Sequence, residues 1–336
     1  MSSRPFDAVL LISFGGPRET KEIRPFLANV LRGRSIPAER LEHVVGHYEL
    51  FDGVSPITEI TLRQAEGLRR RLTRSNLPVY VGMRNWHPFL EDTLKQMSAD
   101  GARHALGVTL AAHHSYSSCG QYKQNVAQAR KTIGEEGVRD VEVTYVAGWH
   151  THDGFIEANA RHIRDARNRL PTDRRQRARL VFTAHSIPLT MASESRYEAE
   201  LRESAALIAQ RLQWEDWTLV YQSRSGRPQD PWLEPDVCDY LRAEGAAGLD
   251  AVVLSPIGFV ADHIEILYDL DTEAAEVCKE AGVAMGRAAS VNDDPSFLDT
   301  LADVVGAECQ RYGTGQPLPI VPATPPPKSE PPPPAR

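Results

Sequence analysis

The feature that most constrains the fold of this chain is a regular alternation of short apolar runs with longer amphipathic segments. The apolar runs are bounded by turn residues and rich in β-branched side chains, which is typical of strands buried on both faces. They lie at 8–14, 78–83, 104–112, 141–148, 179–186, 217–223, 250–259 and 283–290. The amphipathic segments have the composition of surface helices and lie at 60–72, 89–100, 155–170, 196–212 and 296–312. This alternation predicts parallel sheets covered by helices on both faces.

The predicted strands divide evenly about residue 150, four before it and four after it. We therefore expect an α/β protein with two doubly wound lobes and a cleft between them, the first lobe over 1–150 and the second over 151–313. Residues 314–336 are rich in proline and cannot bury enough apolar surface to fold, which predicts a disordered tail without chemistry. Ligands of such sheets bind beyond the carboxyl ends of the strands.

Charge and cysteine usage exclude several classes of protein. The 38 basic and 45 acidic residues give a net charge of −7, which argues against binding to nucleic acid or to an anionic bilayer. The cysteines are far apart and form no C-x-x-C motif, which predicts reduced thiols in the cytoplasm. No apolar run approaches the roughly 18 residues of a membrane span, so we expect no transmembrane anchor. The four cysteines are Cys119, Cys238, Cys278 and Cys309.

The stretch "FTAHSIP", residues 182–188, places His185 at the carboxyl end of the fifth predicted strand. A single histidine in such a place is more often a hydrogen-bonded structural residue than a ligand or a base. Because His185 lies at the carboxyl end of its strand, however, it lies where a cleft residue belongs. The residues alone leave both interpretations open.

A line of acidic residues follows the seventh predicted strand. Glu265, Asp269 and Glu273 recur every four residues, so a helix that begins near Asp262 would place the three carboxylates on one face. A solvated acidic face is one interpretation. The other is a path for protons or hydrated divalent cations, to which the nearby His263 would add a nitrogen donor.

Other motif searches exclude more than they suggest. The chain has no P-loop, no G-x-G-x-x-G, no G-x-S-x-G and no H-E-x-x-H motif. His150, His152 and Asp153 resemble the beginning of a dinuclear hydrolase signature, but its third histidine is missing, and a surface loop at the start of a helix is the expected alternative. The hydroxyl-rich stretch 113–122 is either a polar turn or a wall that hydrogen-bonds a polar ligand.

Taken together, the ordered motifs resemble those of the ferrochelatases, which insert Fe²⁺ into a porphyrin. The resemblance rests on "LLISFGGP", "HYELFDGVSPITEIT", "GMRNWHPFLEDTLKQM", "TAHSIP", "YQSRSGRPQDPWLEPD" and "SPIGFVADHIEILYDLDTEA". It implies a class II chelatase-like architecture of two Rossmann-like lobes around a porphyrin cleft. It also implies that His185 and Glu265 face each other across the porphyrin centre as catalytic and metal-binding residues, with Asp269 and Glu273 as a proton path or an accessory divalent site.

The resemblance further suggests which residues contact the porphyrin. Tyr48, Ser55 and Tyr122 match positions that hydrogen-bond propionates in the coproporphyrin branch, and Arg32 and Arg34 supply nearby cations. The charged lip of the cleft is closest to that branch and offers little to insert into lipid, which favours coproporphyrin III over protoporphyrin IX as the substrate.

Three positions depart from the coproporphyrin branch. Phe14 stands where a tyrosine that can approach the iron is common, and it can pack on the porphyrin but cannot bind metal. His47 and Leu31 stand where arginines are expected. These changes leave the implied reaction intact and weaken the choice of porphyrin.

The resemblance implies a porphyrin and Fe²⁺ as substrates, no permanently bound cofactor, and transient contacts with other haem-pathway enzymes. Some relatives bind a [2Fe–2S] cluster through C-terminal cysteines, but only Cys309 lies near this C-terminus, which argues against a cluster. Two alternatives stay open. One is a chelatase that inserts cobalt or nickel into a related tetrapyrrole, and the other is a non-catalytic porphyrin- or haem-binding protein.

Overall fold

The structure is a computed structural model that describes residues 5–33, 36–73, 75–225 and 229–314. The predicted tail over 314–336 therefore lies outside the described residues except for Thr314, and so does Arg34. Within the described ranges, no helix combines the length and the apolar character needed to cross a bilayer.

The described chain alternates strands with helices in two successive halves. The strands are β1 (Ala8–Ser13), β2 (Val79–Met83), β3 (His104–Thr109), β4 (Glu142–Tyr145), β5 (Arg179–His185), β6 (Trp217–Gln222), β7 (Ala251–Ser255) and β8 (Ala284–Arg287). The α-helices are α1 (Ile23–Val30), α2 (Ala38–Glu49), α3 (Ile57–Arg71), α4 (Leu90–Ala99), α5 (Gln121–Glu135), α6 (Asp153–Arg169), α7 (Leu189–Ser193), α8 (Tyr197–Leu212), α9 (Val237–Ala246), α10 (Ile264–Tyr268), α11 (Ala275–Glu280) and α12 (Pro295–Gly313). The structure also has π-helical turns over Tyr116–Gly120 and Asp269–Ala274 and short 3₁₀ turns over Thr20–Glu22 and Arg175–Arg177.

The strands form two parallel four-stranded sheets with the same order. The first sheet runs β2-β1-β3-β4 and the second β6-β5-β7-β8. In the first sheet Leu11 is opposite Val81 and Val108, and in the second Phe182 is opposite Leu219 and Ser255. Each sheet thus reverses its strand order beside its first strand, which is the point where ligands bind in such folds. The predicted α/β class with two Rossmann-like lobes is confirmed.

The strands differ in how deeply they are buried. All six residues of β1 and all five of β7 are buried, as continuous apolar runs predict. The prediction of full burial is wrong for β4 and β8, which lie at the sheet edges and remain partly exposed. Their apolar runs do not distinguish them from central strands, because the exposure depends on what packs against each sheet edge.

The two lobes share buried surface, and α12 connects them. Its N-cap Asp294 accepts the amide of Ser296, and Pro295 occupies the first turn, where no intrahelical amide partner is lost. The helix packs on both α3 and α6. Across the lobes, the Gln64 side-chain amide donates to the main-chain oxygens of Val260 and Asn292 at 3.0 and 2.7 Å. These contacts hold the two lobes together.

Candidate active site

His185 is the last residue of β5, at the carboxyl edge of the second sheet. Its ring Nδ1 lies 2.5 Å from the main-chain oxygen of Ser186, and its own main-chain oxygen accepts the hydroxyl of Tyr197 at 3.1 Å. Because a carbonyl oxygen can only accept, Nδ1 carries the proton in this contact, and Nε2 is left with a lone pair. In its neutral form the ring therefore has the Nε2 lone pair on the side that faces Glu265.

Glu265 lies in the first turn of α10, on the loop that follows β7. Its Oε2 is 3.9 Å from Nε2 of His185, and about half of the carboxylate side chain is exposed. The gap is longer than a hydrogen bond, so the two groups face each other without being joined. A base and a carboxylate in this relationship can accept two protons or bind a small cation between them.

A buried ion pair fixes the loop that carries Glu265. Oδ1 of Asp262 lies 2.9 Å from the Arg287 guanidinium and accepts the Ser290 hydroxyl, while Oδ2 accepts the Asn292 amide at 2.9 Å. Gly258 lies so close to β5 that an added Cβ would be 2.7 Å from the Cα of Ala184. The loop therefore packs tightly against the strand that ends at His185.

The acidic residues after Glu265 do not lie on one regular helix. Helix α10 begins at Ile264, within two residues of the predicted start near Asp262, but it changes to π-helical hydrogen bonding over Asp269–Ala274. A π-helical turn contains more residues than an α-helical turn, so a four-residue spacing no longer keeps side chains on one face. The three carboxylates consequently have different surroundings.

Asp269 is the most enclosed of these carboxylates. It accepts hydrogen bonds from the hydroxyl of Ser223 and, at 3.3 Å, from the amide of Gln222. Burial, together with the charges of Glu265 and Glu273, raises the pKa of Asp269 to about 7 against the opposing effect of these hydrogen bonds. Ser223 has a left-handed backbone (φ 59°), which is uncommon for a residue with a side chain and occurs directly after β6. Asp269 can therefore bind and release a proton near neutral pH.

Glu273 and His263 flank this group. Glu273 is exposed, yet partial burial of its carboxyl and the neighbouring Asp236 raise its pKa, and Tyr268 donates a hydrogen bond that opposes the shift. Burial lowers the pKa of His263, whose ring packs edge-on against Phe259 at 4.8 Å. The charges of Glu265 and Glu273 thus both act on Asp269, which is the most enclosed of the three carboxyl groups.

The first lobe contributes an aromatic wall at the carboxyl edge of its sheet. Phe14 directly follows β1, and the Arg84 guanidinium lies 5.7 Å from its ring centroid. Tyr122 is buried at the start of α5, where burial raises the pKa of its hydroxyl to about 12 and the nearby charge of Arg84 opposes the shift. Phe14, Arg84 and Tyr122 therefore form one polar and aromatic surface.

Helix α2 brings His47 and Tyr48 toward Glu265. The His47 ring stacks on Tyr268 with centroids 3.5 Å apart, and burial together with the nearby His43 lowers its pKa to about 4 although Glu265 acts in the opposite direction. Burial and the charge of Glu265 both raise the pKa of the Tyr48 hydroxyl. His47 is therefore neutral at physiological pH, unlike an arginine at the same place.

The remaining predicted porphyrin contacts are less close to this centre. Ser55 is buried in the loop before α3, where its amide donates to the main-chain oxygen of Pro17 at 2.8 Å. Arg32 is exposed at the end of α1 and donates to the side chain of Asn29 at 2.8 Å. Arg34 lies outside the described residues. Within the part of the chain that the structure describes, Arg32 makes no hydrogen bond or ion pair with the other site residues.

The loop over 149–155 differs from the surface loop that its sequence predicts. Thr151 and Asp153 are exposed, and His152 caps α6 by accepting the amide of Gly154 at 3.2 Å. The prediction is wrong for His150, whose ring is largely buried and lies 2.8 Å from Oε2 of Glu203 on α8. The sequence of this loop does not predict that α8 of the other lobe packs against His150.

Several residues with a place in the site are not identified by sequence reasoning. Arg84 and Ser223 each follow a strand, and their position after β2 and β6 is the signal that could have found them. Tyr197 and Tyr268 act through tertiary contacts to His185 and His47, for which the sequence gives no spacing signal.

The amino-acid sequence is similar to that of a known protein family. A family model described as ferrochelatase matches residues 6–309. The chain is 44% identical over 304 residues to the ferrochelatase of Rhodopirellula baltica, which covers 90% of this chain and 86% of that protein. It is 46% identical over 305 residues to the coproporphyrin III ferrochelatase of Mycolicibacterium smegmatis, which covers 89% of both chains.

Solved structures show similarity of fold at low sequence identity. The cobalt complex of the sirohydrochlorin chelatase SirB from Bacillus subtilis subspecies spizizenii aligns with a TM-score of 0.54 and 10% identity, over 92% of this chain and 97% of that chain. SirB from Bacillus subtilis with Fe³⁺ aligns with a TM-score of 0.57 and 12% identity over the same shares. The two-lobed architecture is therefore that of known chelatases.

Proposed function

The chain belongs to the ferrochelatase family, and we propose that it inserts Fe²⁺ into coproporphyrin III at the cleft between its lobes. The observation that carries this proposal is the pair formed by His185 and Glu265, with Nε2 and Oε2 3.9 Å apart at the carboxyl edge of the second sheet. A base and a carboxylate in this arrangement can accept the pyrrole protons as the metal ion is inserted into the porphyrin. Metal insertion is the activity of the family.

The reaction exchanges two pyrrole protons for one Fe²⁺ without a change of oxidation state. Nε2 of His185 has a free lone pair because Nδ1 donates to the Ser186 carbonyl oxygen, so it can accept one pyrrole proton or hold the arriving metal. The carboxyl group of Glu265 lies opposite it. We assign proton acceptance and metal delivery to this pair.

Asp269 and Glu273 complete the proposed proton path. Asp269 interacts with the charge of Glu265 and has a pKa of about 7, which suits a group that must accept and then release a proton at neutral pH. Glu273 is exposed and provides the exit to solvent. An accessory divalent cation at these two carboxylates would compete with protons for the same oxygens.

The first lobe provides the proposed porphyrin wall. Phe14 packs against the ring without binding the metal, while the Tyr122 hydroxyl and the Arg84 cation offer partners for carboxylates. Coproporphyrin III carries more propionate groups than protoporphyrin IX and so gains more from such partners. Tyr48, Ser55 and Arg32 add polar groups to this side, and His47 adds a neutral ring.

We place the reaction in the cytoplasm, with a porphyrin and Fe²⁺ as substrates and transient contacts with other haem-pathway enzymes. Among the described residues the four cysteines form no disulfide, as is usual for cytoplasmic proteins. Insertion of cobalt or nickel is not favoured, because the relatives that cover most of this chain carry ferrochelatase names. The resemblance to SirB concerns the fold alone.

A side-by-side assay tests the choice of porphyrin. Anaerobic Fe²⁺ insertion by the purified protein is followed by absorbance with coproporphyrin III and with protoporphyrin IX. The proposal expects a higher kcat/KM for coproporphyrin III. A preference for protoporphyrin IX would contradict the substrate assignment, and an absence of turnover with both would contradict the reaction itself.

A further inference from the structure

Two histidines of the first half of the chain meet a glutamate of the second half at the junction of the lobes. His114 follows β3, His150 follows β4, and Glu200 lies on α8. One ligand atom from each of the three side chains lies within 4.8 Å of the other two. We propose that His114, His150 and Glu200 form a second divalent-metal site, separate from the pair His185 and Glu265.

The donor set defines the class of metal. Two imidazole nitrogens and one carboxylate oxygen suit a borderline first-row cation such as Zn²⁺ or Fe²⁺ and are a poor set for Ca²⁺ or Mg²⁺, which prefer oxygen ligands. Three protein ligands also leave one or more positions for water or another small ligand.

Glu200 is held in place for this role. It is only 4% exposed, and its Oε2 accepts the main-chain amide of His114 at 2.7 Å. The His114 Nδ1 lies 2.9 Å from Oε2 and 3.1 Å from Oε1 of the same carboxylate. A metal ion between these atoms would replace the proton that they now share, as metal binding to histidine requires.

His150 has the tautomer that a metal ligand requires. Nε2 donates to Oε2 of Glu203 at 2.8 Å, which leaves Nδ1 unprotonated. Nδ1 is buried, and within the described part of the chain it has no hydrogen-bond partner. Metal-binding histidines characteristically donate their second nitrogen to a carboxylate in this way. If these residues only formed a hydrogen-bonded bridge between the lobes, Nδ1 of His150 would not be expected to lie buried without a partner.

Neighbouring groups fix both imidazole rings. The Ser204 hydroxyl donates to the main-chain oxygen of His150 at 2.8 Å. Gly148 lies against the other ring, since an added Cβ would be 2.7 Å from Cε1 of His114. The site is therefore largely organised before any metal binds.

Arg196 is the group that would compete with a metal ion. Its Nε is 3.7 Å from Oε1 of Glu200, and its Nη2 is 3.1 Å from Oε1 of Glu203. Most of the Arg196 side chain is exposed, so solvent screens its attraction to these carboxylates and the side chain can move away.

The proposed site is connected to the catalytic pair through α8. Tyr197 lies one turn before Glu200 and donates its hydroxyl to the main-chain oxygen of His185 at 3.1 Å. A metal ion at this junction would join both lobes and restrain the helix that supports His185. The site would then be structural or regulatory and would take no part in the insertion step.

Zn²⁺ binding in the absence of porphyrin tests this proposal independently of iron insertion. The untagged full-length protein carrying His185→Ala and Glu265→Gln, which lacks the catalytic ligands, is stripped with a chelator and titrated with Zn²⁺ against a chromophoric chelator. We expect one equivalent to bind. Adding His114→Gln and Glu200→Gln should weaken this binding by more than 100-fold, because two ligands are lost, and Glu203→Gln by about 10- to 100-fold.

The matched control is His152→Asn, which changes a histidine two residues away and keeps a side chain that can cap α6. It should leave Zn²⁺ binding unchanged. Co²⁺ added to protein with the three ligands intact provides a test that needs no ligand substitution, because its visible spectrum reports nitrogen coordination. Failure to bind either metal, or equal binding after His114→Gln and Glu200→Gln, would overturn the proposal.

Discussion

The His47 ring of α2 stacks on the Tyr268 ring of α10, with centroids 3.5 Å apart and planes inclined by 12°. The contact joins the two lobes beside Glu265, whose charge acts on the pKa of His47. A neutral histidine can make this stacked contact without bringing a fixed positive charge to the Glu265 carboxyl group. His47, which stands where the family resemblance implies an arginine, therefore joins the two lobes through an aromatic contact.

This stack can be measured with a double-mutant cycle of His47→Ala and Tyr268→Ala. Stacked aromatic pairs contribute about 0.5–1.5 kcal/mol beyond the area that they bury, so we expect a coupling energy of that size in urea unfolding. The control cycle pairs Tyr268→Ala with His87→Ala, which changes an exposed histidine whose ring contacts Trp86 and Phe89 instead. Strictly additive effects of His47→Ala and Tyr268→Ala would show that the rings do not stack in solution.

Asp269 predicts a dependence of stability on pH in the metal-free protein. Its folded pKa of about 7 is above the ordinary value near 4, so the folded state binds more protons than the unfolded state between these values. Stability should therefore fall by on the order of a few kcal/mol as the pH rises through this window.

The substitution Asp269→Asn isolates this contribution. The variant should lack the decline, and it should gain stability relative to wild type at pH 8 and not at pH 4. Urea unfolding at both pH values measures the difference. The same slope in wild type and variant would mean that another group titrates in this range.

Gly258→Ala should disturb the loop that carries Glu265. Its added Cβ would be 2.7 Å from both the Cα and the Cβ of Ala184, so the loop must move away from β5. We expect a loss of about 1–3 kcal/mol in stability and a lower kcat.

Gly134→Ala serves as the control for the Gly258→Ala substitution. Gly134 lies in α5 with nothing within 4 Å of an added Cβ, and alanine there should be neutral or stabilising by up to about 1 kcal/mol. Wild-type stability and kcat in the Gly258→Ala variant would contradict the tight packing of the loop.

We propose that Tyr197 positions His185, because the Tyr197 hydroxyl donates a hydrogen bond to the main-chain oxygen of His185. Tyr197→Phe removes one hydrogen bond, which should cost about 0.5–1.5 kcal/mol in stability and lower kcat while KM for the porphyrin changes little. The matched control is Tyr240→Phe, which removes the hydroxyl that accepts from Arg179 at 3.1 Å. An equal fall in kcat in both variants would mean that Tyr197 acts through general stability alone.

The strands were predictable because burial on both faces demands continuous apolar runs, as in β1 and β7. The exposure of β4 and β8 was not predictable, since it depends on what packs against each sheet edge; β2 and β6 also lie at edges and are mostly buried. Helix α2, with its few buried residues, is not predicted by the apolar pattern.

The residues of the site divide in a similar way. His185 and Glu265 were identified because both follow strands and match family motifs, and the structure places them face to face. Asp269 and Glu273 both lie in a π-helical turn, and their four-residue spacing in the sequence does not predict that turn. Contacts between lobes, such as those of His150 with Glu203 and His47 with Tyr268, arise from tertiary packing alone.

The most direct test of the proposed function is anaerobic Fe²⁺ insertion into coproporphyrin III by wild type and His185→Ala, with porphyrin binding measured separately by fluorescence. We predict that the variant loses at least about 100-fold in kcat, because the base that faces Glu265 is gone, while it still binds the porphyrin. Insertion at the wild-type rate by His185→Ala would contradict the assignment of this pair.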